Sequence, residues 1–429
     1  MIKKLYHRLQ SIIFKSEFRR NVMTLATGTT IASSLPVAVV PILTRVFTPE
    51  DFGILAFYSA VVTIFAILST AGYELAIVLP KKRDDAYQIL ILSCTISTFF
   101  SLLLLFVIWF FEKQIAGLLN NPENYIFLYW MPLSVFLISI YQSLYYWFNR
   151  EKAYRNMANS GVIKNSTIVI SQISFGFLTK LSALGLILGQ LIGQILGTLY
   201  MARKFIKATN DLHKPIIYKQ FTLAKRYINF PKFILVANTM NAASRQLPSI
   251  FFNIFFTQTA AGFYLIVNLA IGVPITIFSI AIGDVFRQQA SVAYAERGEC
   301  LKEYKKIFKK LLMISLLPFG LFALIAPDLF EIVFGKNWRI AGEYAQILTP
   351  MFLLRFISNP LSNMFLIAEK QKLELLLQTI LLLATGLCFV MGLMFEDIVL
   401  TICLISAINT LMYAIMALMS LKFAKGIVK

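Results

Sequence analysis

The sequence predicts an all-α integral membrane protein: twelve transmembrane helices in two six-helix lobes related by internal duplication, with both termini cytoplasmic. Three observations carry this expectation. The 429 residues are 58% hydrophobic and only 14% charged, with a mean hydropathy of +0.72, which leaves too little polar surface to cover a globule in water. Apolar runs of about 20 residues, enough to cross ~30 Å of hydrocarbon, recur along the whole chain. Short motifs also recur at fixed offsets. Phe47, Thr48 and Gly53 return as Phe256, Thr257 and Gly262, an offset of 209 each time (256 − 47, 257 − 48, 262 − 53). Pro132 and Glu151-Lys152 return as Pro350 and Glu369-Lys370, an offset of 218 (350 − 132, 369 − 151). That pattern reads as a diverged tandem duplication.

The predicted spans are 21–44, 52–79, 86–111, 124–148, 157–179 and 182–202, then 227–255, 261–286, 306–326, 341–367, 373–394 and 397–420. Helix satisfies every backbone group over such runs, whereas barrel strands would alternate polar and apolar residues over about ten positions. The chain therefore divides into an N-terminal six-helix lobe over 1–204, a cytoplasmic amphipathic linker over 205–226 and a C-terminal six-helix lobe over 227–429. No linker is long enough for a further soluble domain.

Charge sets the orientation. Of 40 Lys and Arg residues, 31 fall in the termini and loops of one side and five on the other, namely Arg45, Lys113, Lys180, Lys336 and Arg339. Basic loops stay cytoplasmic, so the side with 31 is the inner one. The same placement accounts for most of the net charge of +19 without nucleic acid as a partner. Met1 to Arg20 lacks the apolar core and small-residue site of a cleaved signal peptide, so the first span serves as its own insertion signal. Cys94, Cys388 and Cys403 fall in spans and Cys300 in an inner loop, which leaves no disulfide framework. The two histidines, His7 and His213, have no partners at ligand spacing, so neither a metal nor another cofactor is expected.

In chain order, Lys15, Arg19 and Arg20 meet the inner membrane surface as a topology anchor or as a first contact for an anionic head group. Pro36 and Pro41 can kink the first span, and Pro231 and Pro248 its repeat mate. Arg45 caps the outer end of span 1. Thr48-Pro49-Glu50-Asp51 has the form of a helix start, with Thr48 as N-cap, Pro49 at the first position and carboxylates in the first turn. Glu74 in span 2 and Asp284 in span 8 are carboxylates inside apolar runs, costing roughly 2.5–3.5 kcal/mol on insertion scales. They either reach interfacial water or loop lysines, or they form a proton- or cation-coupling site.

Four cations lie deeper: Lys164 in span 5, Lys232 and Arg245 in span 7, and Arg355 in span 10. Each needs an anion, which is either a carboxylate elsewhere in the bundle or the phosphate of a cargo, to which arginine offers a bidentate fork. Asn238, Asn241 and Ser244 accompany Arg245 as a polar stripe. Asn159, Asn165, Ser166, Ser171, Gln172 and Ser174 accompany Lys164 and read as cavity walls or interhelical contacts. Phe205 to Arg226 joins the halves on the cytoplasmic surface, and Lys302 to Lys310 forms a second basic approach. Trp338, in an outer loop, reads as an interfacial anchor.

The Arg45-to-Gly53 turn, Gly72-Tyr73-Glu74 with its following basic loop, and Phe334-Gly-Lys-Asn-Trp338 to Gly342-Glu343 carry a resemblance. With these motifs, and in length and hydropathy throughout, the chain resembles bacterial polysaccharide flippases of the Wzx type, in the multidrug/oligosaccharidyl-lipid/polysaccharide exporter superfamily. The resemblance implies a multi-pass protein of the bacterial inner membrane, two lobes around a central cationic cavity, and alternating access. It also implies an undecaprenyl-diphosphate-linked oligosaccharide as cargo, delivered for O-antigen, capsule or exopolysaccharide assembly beside other polysaccharide-assembly proteins. In that setting Arg245, Arg355, Lys164, Lys232 and Arg45 are expected to hold the anionic head group, and Glu74 and Asp284 to take up H+ or Na+. A multidrug antiporter of the same superfamily would instead show deep carboxylates outnumbering deep bases. A membrane polymerase would need outward acid/base residues, and the longest outer loop offers only Asp328 and Glu331.

Overall fold

A computed structural model describes residues 27–118, 126–179, 181–210 and 215–426. Lys15, Arg19, Arg20, Lys180, His7 and His213 lie outside the described residues, as do both chain ends. The regular structure among the described residues is entirely helical. In order it comprises α1 (Thr27–Leu43), α2 (Pro49–Ser69), a 3-10 turn (Tyr73–Val78), α3 (Arg83–Leu118), α4 (Ile126–Arg150), α5 (Tyr154–Leu178), α6 (Ala183–Ala208) and α7 (Ile217–Arg226). There follow α8 (Leu235–Phe251), α9 (Gln258–Val267), α10 (Val273–Arg297), α11 (Leu301–Phe334), α12 (Arg339–Leu361), α13 (Asn363–Ile367), α14 (Gln371–Met394) and α15 (Ile398–Ala424). Among the described residues, 8 helices are long and apolar enough to cross a membrane. α5, α8 and α12 are not among them, and they are the helices in which Lys164, Arg245 and Arg355 lie.

Several apolar runs fold with breaks that hydropathy does not reveal. The second run is α-helical only to Ser69. Ala71 (φ 50) and Gly72 (φ 75) then turn left-handed, and Glu74 sits on the short 3-10 turn that follows. Around the seventh run the helix widens into π turns at Phe230–Ile234 and Phe252–Phe256, beside Pro231 and Pro248, and again at Asn268–Gly272 before Pro274. Proline removes a ladder hydrogen bond, so such irregularities collect near it.

By contacts the chain forms two compact units, one of residues 1–39 and 61–239 and one of residues 40–60 and 240–429. This division does not follow the repeat boundary, because the stretch around Thr48 belongs with the second copy.

In the first unit, α6 packs on α5 through a glycine ladder. A Cβ on Gly189 would lie 2.6 Å from Gln172 Cγ, one on Gly193 2.6 Å from the Lys164 carbonyl, and one on Gly197 2.8 Å from Lys164 Cβ. Small residues four apart let two backbones approach closely in lipid. Buried hydroxyls bridge the neighbouring helices: Ser69 and Ser139 lie 2.5 Å apart, Ser93 and Ser143 2.9 Å, and Ser134 donates to Gln194 at 2.8 Å. Within this unit α7 is pinned by Lys219 to Asp84 (2.5 Å) and Asp85 (2.6 Å) at the start of α3, and by the Tyr73 hydroxyl donating to the Ala224 carbonyl at 3.2 Å.

The second unit joins the two motif copies directly. Thr48 caps α2 by accepting from the Asp51 N–H at 3.2 Å, while Asp51 accepts from the Thr48 N–H at 2.9 Å. That reciprocal cap matches the helix start expected from sequence. Its repeat mate Thr257 caps α9 by accepting from the Ala260 N–H at 3.1 Å. Asn253 donates to the Gly53 carbonyl at 2.8 Å. Trp338 corrects the interfacial-anchor expectation: it is 1% exposed, wedged between Phe52 (5.3 Å) and Phe263 (5.9 Å), and its indole N–H donates to the Thr44 carbonyl at 3.0 Å.

The later repeat is also shifted by one residue. Lys152 (φ 56) and Glu369 (φ 57) are the left-handed residues of two matching turns, in which Ala153 N–H donates to Phe148 at 2.9 Å and Lys370 N–H to Phe365 at 2.7 Å. The structural offset is thus 217 (369 − 152), with both turns closing a helix by the same 6→1 bond.

Candidate functional site

Arg245 lies on α8, one turn beyond Asn241, whose side-chain oxygen accepts from its guanidinium. Asn238, Asn241 and Arg245 are exposed along one side of this helix, whereas Ser244, the fourth member of the expected polar stripe, is half-buried and donates to the Met240 carbonyl at 3.0 Å. Arg355 projects from α12, half-buried, with its guanidinium donating to the Thr276 hydroxyl at 3.4 Å and approaching the Gly272 backbone. Arg245 and Arg355 are electrostatic neighbours of each other, and Tyr413 of α15 interacts with Arg245. Tyr264 of α9 interacts with both Arg355 and Tyr413. Neither arginine has an ion pair among the described residues. Arg245, exposed, and Arg355, half-buried, are thus electrostatic neighbours, with a neutral side-chain acceptor on the first and a hydroxyl on the second.

The remaining cations have different surroundings. Lys164 on α5 holds its ammonium 4.6 Å from the Tyr141 ring centroid, a cation–π contact, and the Tyr141 hydroxyl lies 2.9 Å from Ser160. Lys232 is exposed on the π turn at Phe230–Ile234. Arg45 donates to the Ile332 carbonyl at 3.2 Å in the last turn of α11, where a cation meets the negative end of the helix dipole.

The two carboxylates, similar in sequence, differ in structure. Glu74 is 7% exposed, shares a hydrogen bond with the Thr70 side chain, has Tyr146 as an electrostatic neighbour, and keeps Oε2 buried without a hydrogen-bond partner. Asp284 is 63% exposed and pairs with Arg287 one turn on at 3.1 Å. Among the described residues no cluster of His, Cys, Asp and Glu could hold a metal ion.

Tyr264, Asn268, Thr276 and Tyr413 had not been singled out from sequence. The available signal was spacing: Asn268 donates back to the Tyr264 carbonyl at 3.0 Å, four residues apart in an otherwise apolar helix.

A family model described as polysaccharide biosynthesis protein matches residues 42–342, well over half of the sequence. The chain belongs to this family. Among its curated relatives it is 23% identical over 332 residues to the succinoglycan biosynthesis transport protein ExoT of Rhizobium meliloti, covering 75% of this chain and 63% of ExoT. It is 20% identical over 353 residues to the lipopolysaccharide biosynthesis protein WzxC of Escherichia coli, covering 80% of this chain and 68% of WzxC. The chain therefore spans a little under two thirds of the length of ExoT. Its fold is similar to that of the lipid II flippase MurJ in an inward closed conformation, with a TM-score of 0.65, 15% identity, and 96% of this chain and 87% of that one covered. This member of the polysaccharide biosynthesis protein family is thus an all-helical, multi-pass membrane protein.

Proposed function

We propose that the protein is a flippase that moves undecaprenyl-diphosphate-linked oligosaccharide repeat units from the cytoplasmic to the periplasmic leaflet of the bacterial inner membrane, by ion-coupled alternating access, for O-antigen, capsule or exopolysaccharide biosynthesis. The observation that carries the reading is the pair Arg245 and Arg355, without an ion pair among the described residues and with Asn241, Thr276, Tyr264 and Tyr413 as their polar neighbours. Two neighbouring guanidiniums without a carboxylate repel each other, and a diphosphate supplies the missing charge with oxygens enough for both forks. A polyprenyl tail stays in lipid while the head group is carried past the hydrocarbon.

The relatives' names support this direction: one is a transport protein of succinoglycan biosynthesis and one structural neighbour is a lipid II flippase. Twelve spans with both termini cytoplasmic remain part of the proposal. The 8 apolar helices, joined by the shorter α1 and the more polar α5, α8 and α12, make up that number.

Lys164, Lys232 and Arg45 are proposed as further cationic contacts of the cargo, and Glu74 and Asp284 as ion-coupling groups. Glu74 has the stronger support, because its Oε2 is buried and unpartnered, whereas Asp284 is shared with Arg287. The protein is proposed not to be an enzyme. Asp328 and Glu331, expected in the outer loop, lie instead in the last turns of α11 and both bind Arg339, at 2.5 and 2.9 Å, which commits them to an ion pair rather than to acid/base work.

The test is equilibrium binding of a polyprenyl-diphosphate oligosaccharide to the purified protein. Arg245→Ala and Arg355→Ala are expected to weaken it by on the order of tenfold or more each, the scale of a lost charge-assisted hydrogen bond. Unchanged affinity in both variants rejects the site.

A further inference from the structure

α11 begins as a basic helix and continues as an apolar one. Lys302, Lys305, Lys306, Lys309 and Lys310 follow the spacing i, i+3, i+4, i+7, i+8, so the five share one face, and all five are exposed. The next positions on that face are Met313, Ile314, Leu317, Leu321 and Leu324, each more than half exposed. The opposite face is fixed by packing: Tyr304, Leu311 and Ser315 are buried, and the Tyr304 hydroxyl donates to the Ala417 carbonyl at 2.7 Å. The lysine stripe is therefore continuous with an apolar stripe that, in a membrane protein, meets acyl chains.

Helical rise sets the depth. At 1.5 Å per residue, Lys310 stands about 4.5 Å and Lys302 roughly 16 Å above the level of Met313, which spans a headgroup layer. None of the five lysines has an ion pair among the described residues. Glu303, the one acid in the run, turns instead to Arg297 at 2.6 Å. Beside the upper lysines, a groove of 670 Å³ between α10 and α11 is lined by the amides Gln288 and Gln289, the cations Arg297, Lys302 and Lys306, and the acids Glu296 and Glu303, of which Glu303 is paired with Arg297.

We infer that this face of α11 binds an anionic phospholipid with more than one phosphate. The acyl chains lie along Met313 to Leu324, one phosphate lies on Lys305, Lys309 and Lys310, and the rest of the head group reaches the groove at Lys302 and Lys306. Lysines next to a membrane span attract anionic head groups by about 1 kcal/mol each, and their stems lie along apolar surface while the ammonium stays wet. That the lipid comes from the cytoplasmic leaflet rests on the orientation proposed above; the binding itself does not.

Native mass spectrometry of the purified protein titrated with diphosphatidylglycerol or phosphatidylethanolamine reads the site directly. The wild type is expected to retain the anionic lipid in preference to the zwitterionic one. Lys305→Gln/Lys309→Gln/Lys310→Gln should weaken retention by on the order of tenfold to a hundredfold, and the corresponding Lys→Arg trio should restore it. Equal retention by the glutamine trio and the wild type overturns the inference, as does equal retention of the two lipids. Should the glutamine trio not fold, the wild type alone decides: displacement of the lipid by millimolar inorganic phosphate would reduce the face to an anion patch. The orientation is tested separately by an impermeant maleimide on Lys305→Cys in intact cells. Labelling from outside removes the cytoplasmic assignment and leaves the lipid site standing.

Discussion

Gly53 and Gly262, mates in the duplication, each sit where the other's helix passes closest. A Cβ on Gly53 would run into the Gln258 carbonyl, and a Cβ on Gly262 into the Pro49 carbonyl. Pro49 and Gln258 are themselves 209 residues apart (258 − 49), so the crossing of α2 and α9 maps onto itself under the repeat. Symmetry in the sequence has become symmetry in a contact, and the small residues that permit it are the ones that recur.

Overpacking of this crossing should show as lost stability. Gly53→Ala and Gly262→Ala are each expected to destabilise by about 1–3 kcal/mol or more, read as a lowered thermal midpoint and aggregation in detergent. Gly320→Ala, where a Cβ meets nothing within 4 Å, should leave the midpoint unchanged. Equal midpoints for all three would remove the close crossing.

Trp338 offers a graded test of the clasp around the first motif. Trp338→Phe keeps a ring between Phe52 and Phe263 but strands the buried Thr44 carbonyl, at about 1–3 kcal/mol. Trp338→Ala also empties the slot, at about 3–5 kcal/mol. A residue lying in the membrane interface would show neither loss in a thermal melt.

Cys300 should be slow to alkylate. Its thiol is fully buried, 3.4 Å from the Met364 sulfur, and burial pushes its pKa up to about 11. A raised thiol pKa means little thiolate at neutral pH, so maleimide modification should remain slow up to about pH 9 and become complete only after denaturation in SDS. Rapid native labelling at pH 7 would contradict the packing of this loop on Ala424, whose carbonyl accepts from the Cys300 N–H at 2.9 Å.

Glu74→Gln is expected to preserve folding and to abolish the dependence of transport on an ion gradient, because the amide neither takes up a proton nor neutralises a cation. Asp284→Asn should have the smaller effect, since Asp284 is exposed and paired. The measurement is transport at imposed H+ and Na+ gradients, and unchanged gradient dependence in Glu74→Gln would set the coupling role aside.

What the sequence made legible was local or repeated. Thr48 and Asp51 announce a reciprocal cap within four residues, and the structure forms it. Arg245 with Asn241 was legible from helical spacing. Trp338 was not: near a span end it has the signature of an interfacial residue, and its burial depends on Phe52 and Phe263, which no periodicity connects. Glu74 and Asp284 looked equivalent within their runs. They separated because a left-handed turn at Ala71-Gly72 breaks one run, while α10 continues straight and brings Arg287 within reach. The ladder of Gly189, Gly193 and Gly197 was not singled out in the sequence, because its meaning depends on the facing side chains of Lys164 and Gln172, which spacing alone does not supply.

Translocation of a fluorescent polyprenyl-diphosphate oligosaccharide in proteoliposomes tests the central claim most directly, comparing the wild type with Arg245→Ala, Arg355→Ala and Arg245→Glu at equal reconstitution. The account predicts flipping by the wild type, a loss of on the order of tenfold or more in either alanine variant and none above background in Arg245→Glu. Flipping at wild-type rate by Arg245→Glu would contradict it.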